Sequence, residues 1–149
     1  MPQSLAFREN CIVAALAESD VCAAPAFEFV RWRGEEEIVQ AWSRGDLLAV
    51  VRAEAALIAG RTRHGDRVVV AHPPGPAFVA AFLACLVSGR IAVPAPAPLT
   101  AASRAAVERL AQTTGAALVL SRGDSPAETP GVTGDVLIAP PEDDAIAYL

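Results

Sequence analysis

The sequence predicts an α/β fold in which a layered, largely parallel sheet is flanked by helices. Short β-branched runs bounded by glycine and proline alternate with longer stretches of helical apolar period. The chain has 149 residues, of which 53% are hydrophobic and 19% are charged, and this composition is enough for one hydrophobic core. Residues 1–149 are therefore predicted to form a single domain.

The most regular part of the chain is RVVVAHPPGPAFVAAFLACLVSGRIAVP. Residues 67–72 read as a buried strand, and Pro76 suits the first turn of a helix over residues 76–88. Gly89 suits the left-handed position after that helix, and the segment Ile91–Pro94 is again extended. The unit predicts two parallel strands joined by a right-handed crossover. The predicted apolar stripe of the helix is Phe78, Val79, Phe82, Leu83, Leu86 and Val87, with small alanines on the other side.

The other elements follow from the same periodicities. We predict helices over residues 4–19, 43–61 and 100–114, and strands over residues 26–32, 36–42, 117–121 and 135–139. Ser43 is a candidate N-cap with Asp46 in the first turn, and Thr100 or Ser103 caps the next helix. The second predicted helix has Leu47, Val50, Val51, Leu57 and Ile58 on its apolar face. Strands 26–32 and 36–42 should form a hairpin, because the connection at Gly34 is too short for a crossover.

Charge and cysteine content exclude several classes of function. The net charge of −5 and the absence of a basic run argue against a nucleic-acid partner. Cys11, Cys22 and Cys85 form an odd, widely spaced set, and no secretory leader is evident, so the sequence predicts a cytoplasmic protein. The longest apolar helix is too short for a transmembrane segment. Cys11 and Cys85 are predicted to be core residues.

No combination of residues predicts a catalytic or metal site. His64 and His72 are the only histidines, and neither has a metal-ligand partner at a suitable spacing. His64 is predicted to lie in a solvated loop. Neither of the common glycine-rich phosphate loops is present. All 12 residues of the Lys and Arg class are arginine, so chemistry that requires a lysine is excluded.

The candidate substrate-binding residues are His72, Pro73, Pro74 and Gly75. They follow a predicted parallel strand, and ligands of open α/β sheets bind beyond the carboxyl ends of the strands. The alternative for His72 is a structural histidine that bonds to a loop carbonyl. The sequence leaves both interpretations open.

The stretch GDRVVVAHPPGPAFVAAFLACLVSGRIAVPAPAP resembles the N-terminal subdomain of adenylate-forming enzymes, and most of all the fatty acyl-AMP ligases. The similarity extends from about Ala14 to residues 144–149, which resemble the strand before the family's phosphate loop. The matching residues are Gly65, Asp66, Arg67, Val68, Pro74, Gly75, Phe78, Ala81, Phe82, Cys85, Leu86, Gly89 and residues 91–94. One departure is that family members often carry an aromatic residue among the prolines after IAVP, where this chain has Ala95-Pro96-Ala97-Pro98.

The resemblance implies that the chain is an incomplete N-terminal subdomain of the adenylate-forming fold, a single partial domain. It also implies a function for the intact protein: ATP-dependent activation of a fatty acid, with magnesium, and transfer of the acyl group to a carrier protein. In the family, the phosphate loop, the magnesium-binding carboxylate and a lysine lie in later segments. We therefore expect this chain to bind neither cofactor and to be inactive by itself.

Two alternatives from different classes follow. The chain is either the N-terminal part of a ligase, which needs the remaining C-terminal segments, or a non-catalytic remnant that acts as a binding or assembly module. If the parent sheet continues after Leu149, the exposed strand edge should promote self-association. An unrelated flavodoxin-like protein is disfavoured, because no phosphate-binding turn follows a predicted strand.

Overall fold

The computed structural model describes residues 23–122 and residue 124. The predicted helix 4–19, the strand 135–139, the family-like residues 144–149, and Cys11 and Cys22 lie outside the described residues. The elements in chain order are β1 (Pro25–Arg33), β2 (Glu36–Ser43), α1 (Arg44–Ala59), β3 (Arg67–Val70), α2 (Pro76–Val87), β4 (Ile91–Pro94), α3 (Ala101–Thr114) and β5 (Leu118–Leu120). None of the described helices has the length and apolar character needed to cross a membrane.

Strands β3, β4 and β5 form a parallel sheet with β3 in the centre, and the strand order is β4-β3-β5. Helix α2 connects β3 to β4, and α3 connects β4 to β5. The predicted α/β class and both helical crossovers are therefore confirmed. β3 is two residues shorter than predicted because β4, one of its neighbours, ends at Pro94. The ladder nevertheless continues for one bond, since the Ala71 N–H donates to the Leu120 carbonyl at 2.8 Å.

The alternation of β3 divides the core into two layers. Val68 and Val70 belong to the larger cluster, together with the buried residues of α1 and α2. Val69 and Ala71 belong to the smaller cluster, where Val107 of α3 packs. All four side chains are completely buried. Because successive side chains of an extended segment point to opposite faces, β3 and the residue that follows it contribute to both layers.

Helix α2 is the most buried helix, and its closest packing involves its alanines. Leu83, Leu86 and Val87 are buried, whereas Phe78 and Phe82 are only partly buried, with ring centroids 6.1 Å apart. The fully buried small residues of the helix are Ala80, Ala81, Ala84 and Cys85. The face of α2 with small side chains, which the sequence predicted to allow close approach of a neighbouring element, is therefore the tightly packed face.

Helix α1 begins with the predicted cap and packs against α2. The Asp46 N–H donates to Ser43 Oγ at 3.1 Å, and the Ser43 N–H donates to the Asp46 carboxylate at 2.9 Å. These hydrogen bonds lower the pKa of Asp46. The prediction for Leu57 is wrong: it is 44% exposed, because its position lies about 100° from the centre of the stripe defined by residues 47, 51 and 58.

Strands β1 and β2 form the predicted antiparallel hairpin, which is a separate two-stranded sheet. Its inner side is anchored by Trp42, which is buried and packs edge-on against Phe29 at a centroid distance of 5.5 Å. At its base, the Arg44 N–H donates to the Ala24 carbonyl at 2.8 Å. The hairpin is thus joined to α1 at one end, while the turn at Gly34 and Glu35 forms the other end.

Candidate functional site

The carboxyl ends of the three parallel strands lie at one edge of the sheet. The candidate substrate-binding residues were predicted to lie at this edge. His72 to Gly75 follow β3, Ala95 to Pro98 follow β4, and Ser121 follows β5. Two hydrogen bonds across the ladder hold these ends in register: the Ala71 N–H donates to the Leu120 carbonyl, and the Ala95 N–H donates to the Val70 carbonyl at 2.9 Å. The strand order also places β3 at the switch point of the sheet, where ligands of such folds bind.

The four candidate residues differ in accessibility along this loop. His72 is only 2% exposed. Pro73 and Gly75 are partly buried, and Pro74 is exposed. Gly75 is the N-cap of α2 and has no side chain to accept from the first-turn N–H groups. A molecule at this edge would therefore meet Pro73, Pro74 and Gly75 before it met the imidazole, which is part of the buried structure beneath them.

The loop after β5 is closed by its own polar groups. The Ser121 N–H and Oγ–H both donate to the Asp124 carboxylate, at 2.7 and 3.0 Å. In return, the Asp124 N–H donates to the Ser121 carbonyl at 3.1 Å. This arrangement caps the strand end as a turn and directs the carboxylate toward the backbone. Within residues 23–122 and 124, no group of three histidines, cysteines or acidic residues could hold a metal ion.

Arg90 connects the carboxyl end of α2 to the loop that follows α1. Its guanidinium donates to Thr62 Oγ1 at 3.1 Å, to the Thr62 carbonyl at 2.7 Å and to the Ser88 carbonyl. Thr62 Oγ1 in turn donates to the Ile58 carbonyl at 2.7 Å. A cation in contact with carbonyls at two helix C-termini interacts favourably with both helix dipoles. Arg90 therefore holds the loop after α1 against the end of α2, at the edge of the sheet opposite the candidate loop.

The sequence analysis missed one charged residue of the core. Glu54 of α1 is completely buried, and it lies seven residues after Leu47 and three after Val51, which is the spacing of the apolar stripe. Cys85 of α2 lies close to it. Burial, the nearby charge of Glu54 and a smaller opposing effect of Arg90 together raise the pKa of the Cys85 thiol to about 12. Cys85 is therefore a core thiol, as predicted, and not a nucleophile.

His64 is exposed in the loop before β3, as predicted. Its imidazole lies over Gly89 at the end of α2, so closely that a Cβ atom at Gly89 would be 2.3 Å from His64 Cδ2. The two loops are also joined by the backbone, since the Gly65 N–H donates to the Gly89 carbonyl at 2.8 Å. His64 and His72 thus lie at opposite ends of β3, and the structure does not bring them together.

Comparisons with solved structures identify the same group of enzymes that the sequence resembles. Fatty acid AMP ligase from Legionella pneumophila is 27% identical over 76% of this chain, with a TM-score of 0.61. ATP-bound MatB from Rhodopseudomonas palustris is 18% identical over 92% of the chain, with a TM-score of 0.65. A long-chain-fatty-acid-CoA ligase, FadD1, from Archaeoglobus fulgidus is 15% identical over 93%, also with a TM-score of 0.65.

The match covers only part of each of these proteins. The chain spans 19% of the Legionella ligase, 31% of MatB and 33% of the Archaeoglobus ligase. No family profile matches the chain, and no curated protein matches it. The two matches under 20% identity support the fold, while the 27% match to an AMP ligase also carries sequence similarity.

The sequence, the topology and the structural neighbours all point to adenylate-forming enzymes. The stretch 65–98, which carries the sequence resemblance, was predicted to form a strand, a helix and a strand. The structure has these elements in this order, and the two strands are parallel as expected. The region matched in the neighbours is the N-terminal domain. In fold, this chain is similar to the adenylate-forming enzymes and corresponds to part of their N-terminal domain.

Proposed function

We propose that this chain builds part of the N-terminal domain of a fatty acyl-AMP ligase and supplies scaffold rather than catalytic groups. The observation that carries the proposal is the 27% identity to the Legionella fatty acid AMP ligase over three quarters of the chain, at a TM-score of 0.61. The packing fits a scaffold, since β3 is buried on both faces and its side chains serve the two core layers. Residues 1–149 would then be a single partial domain of the ligase.

The reaction of such an enzyme has two steps. The carboxylate of a fatty acid attacks the α-phosphorus of ATP, a new acyl–phosphate bond forms, and pyrophosphate leaves. The thiol of a carrier protein then attacks the acyl carbon and releases AMP. The first step requires two anions to be held in line while cations offset the developing charge. In our proposal, magnesium and the catalytic lysine are bound or supplied by other segments of the ligase.

The contribution of this chain to the substrates would come from the loop His72-Pro73-Pro74-Gly75. It lies at the carboxyl edge of the sheet, beside the ends of β4 and β5. The exposed Pro74 and the partly exposed Pro73 and Gly75 offer apolar and backbone surface. The buried His72 would hold that surface in place. We propose this loop as one wall of the substrate site, with no proton transfer assigned to it.

An AMP ligase and a CoA ligase differ in the thiol that receives the acyl group. The carrier-protein acceptor is proposed here because the neighbour with the higher identity is an AMP ligase, whereas the CoA ligase is only 15% identical. A carrier acceptor would fit a role in polyketide or lipid assembly, and we propose the cytoplasm as the location, as the cysteine content predicts. The acceptor can be tested separately from adenylate formation.

A chimera tests whether this chain can serve as ligase scaffold. The segment of the Legionella ligase that matches this chain would be replaced by the corresponding residues of this chain, and ATP–pyrophosphate exchange would be measured with a fatty acid and magnesium. We expect exchange above a blank that lacks fatty acid. We expect none from the 149-residue chain alone, because its sequence has no lysine and neither of the common glycine-rich phosphate loops.

Three variants of the chimera sharpen the test. Pro74→Ala and Gly75→Ala should raise the KM for a substrate if the loop lines the site, while His64→Ala at the other end of β3 is the matched control. A chimera that folds cooperatively but shows no exchange would contradict the ligase scaffold and favour a non-catalytic assembly module. Exchange with acyl transfer to CoA, and none to a carrier protein, would contradict the AMP-ligase assignment alone.

A further inference from the structure

The amino edge of the parallel sheet, opposite the candidate loop, is strongly basic. Three segments lie there, namely residues 57–67 before β3, residues 88–90 before β4 and residues 115–117 before β5. The first two are joined by the hydrogen bond from the Gly65 N–H to the Gly89 carbonyl. Together the segments carry four arginines and one acidic residue, Asp66, in a chain whose net charge is −5. Positive charge is therefore concentrated at this edge.

The loop after α1 presents Arg61 and Arg63 on the surface because the residue between them is fixed. Thr62 Oγ1 donates to the Ile58 carbonyl at 2.7 Å and accepts from the guanidinium of Arg90 at 3.1 Å. The Thr62 carbonyl accepts from the same guanidinium at 2.7 Å. Thr62 is partly buried, whereas Arg61 and Arg63 are exposed. Arg90 thus acts within the structure and leaves the other two guanidinium groups at the surface.

Arg67 lies close to this pair, because only a tight turn separates it from Arg63. The Asp66 N–H donates to the Arg63 carbonyl at 3.1 Å, and the Cα atoms at the two ends of such a turn lie within about 7 Å. Arg67 is the next residue and is exposed. The Asp66 carboxylate accepts from the Arg63 N–H at 2.7 Å. The one acidic group of the three segments is therefore used by the backbone of the turn.

An exposed leucine lies beside these arginines. Leu57 is 44% exposed, and it precedes Arg61 by four residues. Gly60 keeps right-handed helical angles, so the helical path continues beyond the last residue of α1. Residues four apart are neighbours on a helix surface. We call Leu57, Arg61, Arg63 and Arg67 the amino-edge surface.

We propose that the amino-edge surface binds an acidic polypeptide of another protein, whose carboxylates contact the arginines and whose apolar side chain contacts Leu57. Guanidinium groups form paired hydrogen bonds with carboxylates. Arginine is enriched at protein interfaces, and the centre of an interface is apolar. The inference does not depend on the ligase function, since an assembly module would use the same surface.

Three other anionic partners fit this surface less well. A free phosphate would need a cradle of backbone N–H groups, but those of residues 63, 65 and 66 are already donated within the edge. A nucleic acid gains affinity with each phosphate that is neutralised, and three exposed arginines on a chain of net charge −5 offer few such contacts. A lipid surface requires a broad apolar face that inserts, whereas Leu57 is a single side chain.

Binding of a fluorescently labelled peptide to the full chain tests the proposal. The peptide is a glutamate chain with leucine at every fourth position, which places the leucines on one side of a helix. A second peptide has serine in place of leucine. Arg61, Arg63 and Arg67 would be replaced together by glutamine. The matched control replaces Arg33, Arg104 and Arg109, which are also exposed, and so removes the same charge elsewhere.

We expect the leucine peptide to bind the unaltered chain, with an affinity that falls severalfold when salt is raised from about 50 to about 200 mM. Each exposed ion pair changes an affinity by about 1.5- to 5-fold. Replacement of the three arginines of the surface should therefore weaken binding about tenfold, and the control replacement less than about threefold. Leu57→Ser should remove the preference for the leucine peptide over the serine peptide.

No binding, or equal weakening by the two triple replacements, would overturn the proposal. Circular dichroism verifies the fold of each variant. If the triple replacement at the surface unfolds the chain, Arg61→Gln and Arg63→Gln are measured singly, and each should weaken binding about twofold. A DNA strand or phosphatidylserine vesicles that bind more tightly than the peptide, through the same arginines, would assign the surface to that partner and overturn the proposal too. None of these outcomes bears on the ligase function, which pyrophosphate exchange measures separately.

Discussion

The hairpin β1–β2 and the block formed by α1, α2, α3 and the parallel sheet obtain their order in different ways. In the block, the four residues from Val68 to Ala71 are fully buried and serve two core layers. In the hairpin, Trp42 is the one residue of β1 and β2 that is buried, and the face opposite Trp42 carries exposed Val30, Trp32 and Val39. One region is a packed core, whereas the other exposes apolar side chains on one face.

The difference is a consequence of how the two sheets are connected. Parallel strands need crossover helices, and those helices automatically cover both faces. An antiparallel hairpin is closed by a turn of two residues, which leaves its second face without an attached helix. Substitutions of the same kind should therefore have large effects in the block and small ones in the hairpin.

The largest expected contrast comes from a buried charge. Val69→Asp would place a carboxylate between the sheet and α3 and should cost more than about 5 kcal/mol, which is enough to unfold a domain of ordinary stability. Val39→Asp, the same change on the hairpin, should cost less than about 1 kcal/mol. Urea unfolding followed by circular dichroism would measure both. A folded Val69→Asp variant with near-normal stability would refute the two-layer core.

A second contrast concerns two glycines of similar backbone conformation. Gly89 has φ of 70° and Gly34 has φ of 65°, a region that disfavours residues with a Cβ atom by about 1–2 kcal/mol. At Gly34 a Cβ atom meets nothing within 4 Å, whereas at Gly89 it meets the imidazole of His64. Gly89→Ala should therefore cost about 3 kcal/mol, roughly 1–2 kcal/mol more than Gly34→Ala.

The double variant with His64→Ala isolates the steric part of that cost. If the imidazole is the obstacle, the difference between Gly89→Ala and Gly34→Ala should shrink when His64 is removed. Equal costs at the two glycines in the presence of His64 would show that the contact between the two loops is weaker than the structure indicates. Chemical denaturation midpoints at constant slope are the measurement.

The third contrast uses two arginines. Arg90 donates to Thr62 and Ser88 and joins two loops, so Arg90→Met should cost about 2 kcal/mol. Arg33 at the end of β1 is exposed, and Arg33→Met should be within about 0.5 kcal/mol of the parent. Arg90→Lys should recover only part of the loss, because an ammonium cannot reproduce the planar guanidinium fork. Full recovery with lysine would contradict the proposed geometry.

The smallest predicted effect is a dependence on alkaline pH. Burial raises the pKa of Cys85 from 9.0 to about 12 in the folded protein, with a further contribution from Glu54. The folded chain therefore keeps this proton between pH 9 and 12, while the unfolded chain releases it. Unfolding becomes easier as pH rises through this range, at a rate of at most about 1.4 kcal/mol per pH unit. Below pH 9 the contribution is fully present.

Comparison with Cys85→Ala separates this effect from other titrations. Between pH 8 and 10 the stability of the parent should fall by about 1.4 kcal/mol more than that of the variant. In parallel, alkylation of Cys85 at pH 8 should require unfolding. Parallel pH profiles for the two proteins would show that the thiol ionises in the folded state at its ordinary pKa.

Sequence reasoning found the strands, helices and connections because each is encoded locally. Pro76 and Gly89 bound α2, Ser43 and Asp46 begin α1, and the β-branched run after Asp66 forms β3. The two errors in detail, the exposed Leu57 and the unexpected burial of Glu54, both concern α1. Both arise because the buried face of α1 was predicted from the hydrophobicity of its residues. The angular position of a residue around the helix axis decides whether it faces α2.

Local patterns in the sequence were enough to predict the order of the elements, the hairpin, the parallel pairing and the resemblance to adenylate-forming enzymes. Local propensities and short connections permit few other arrangements. Four further facts depend on the folded arrangement: β3 is central, Glu54 and Cys85 share the α1–α2 interface, His64 lies over Gly89, and His72 is buried. These facts depend on residues far apart in the chain, and a contact between such residues follows from packing, which no local pattern records.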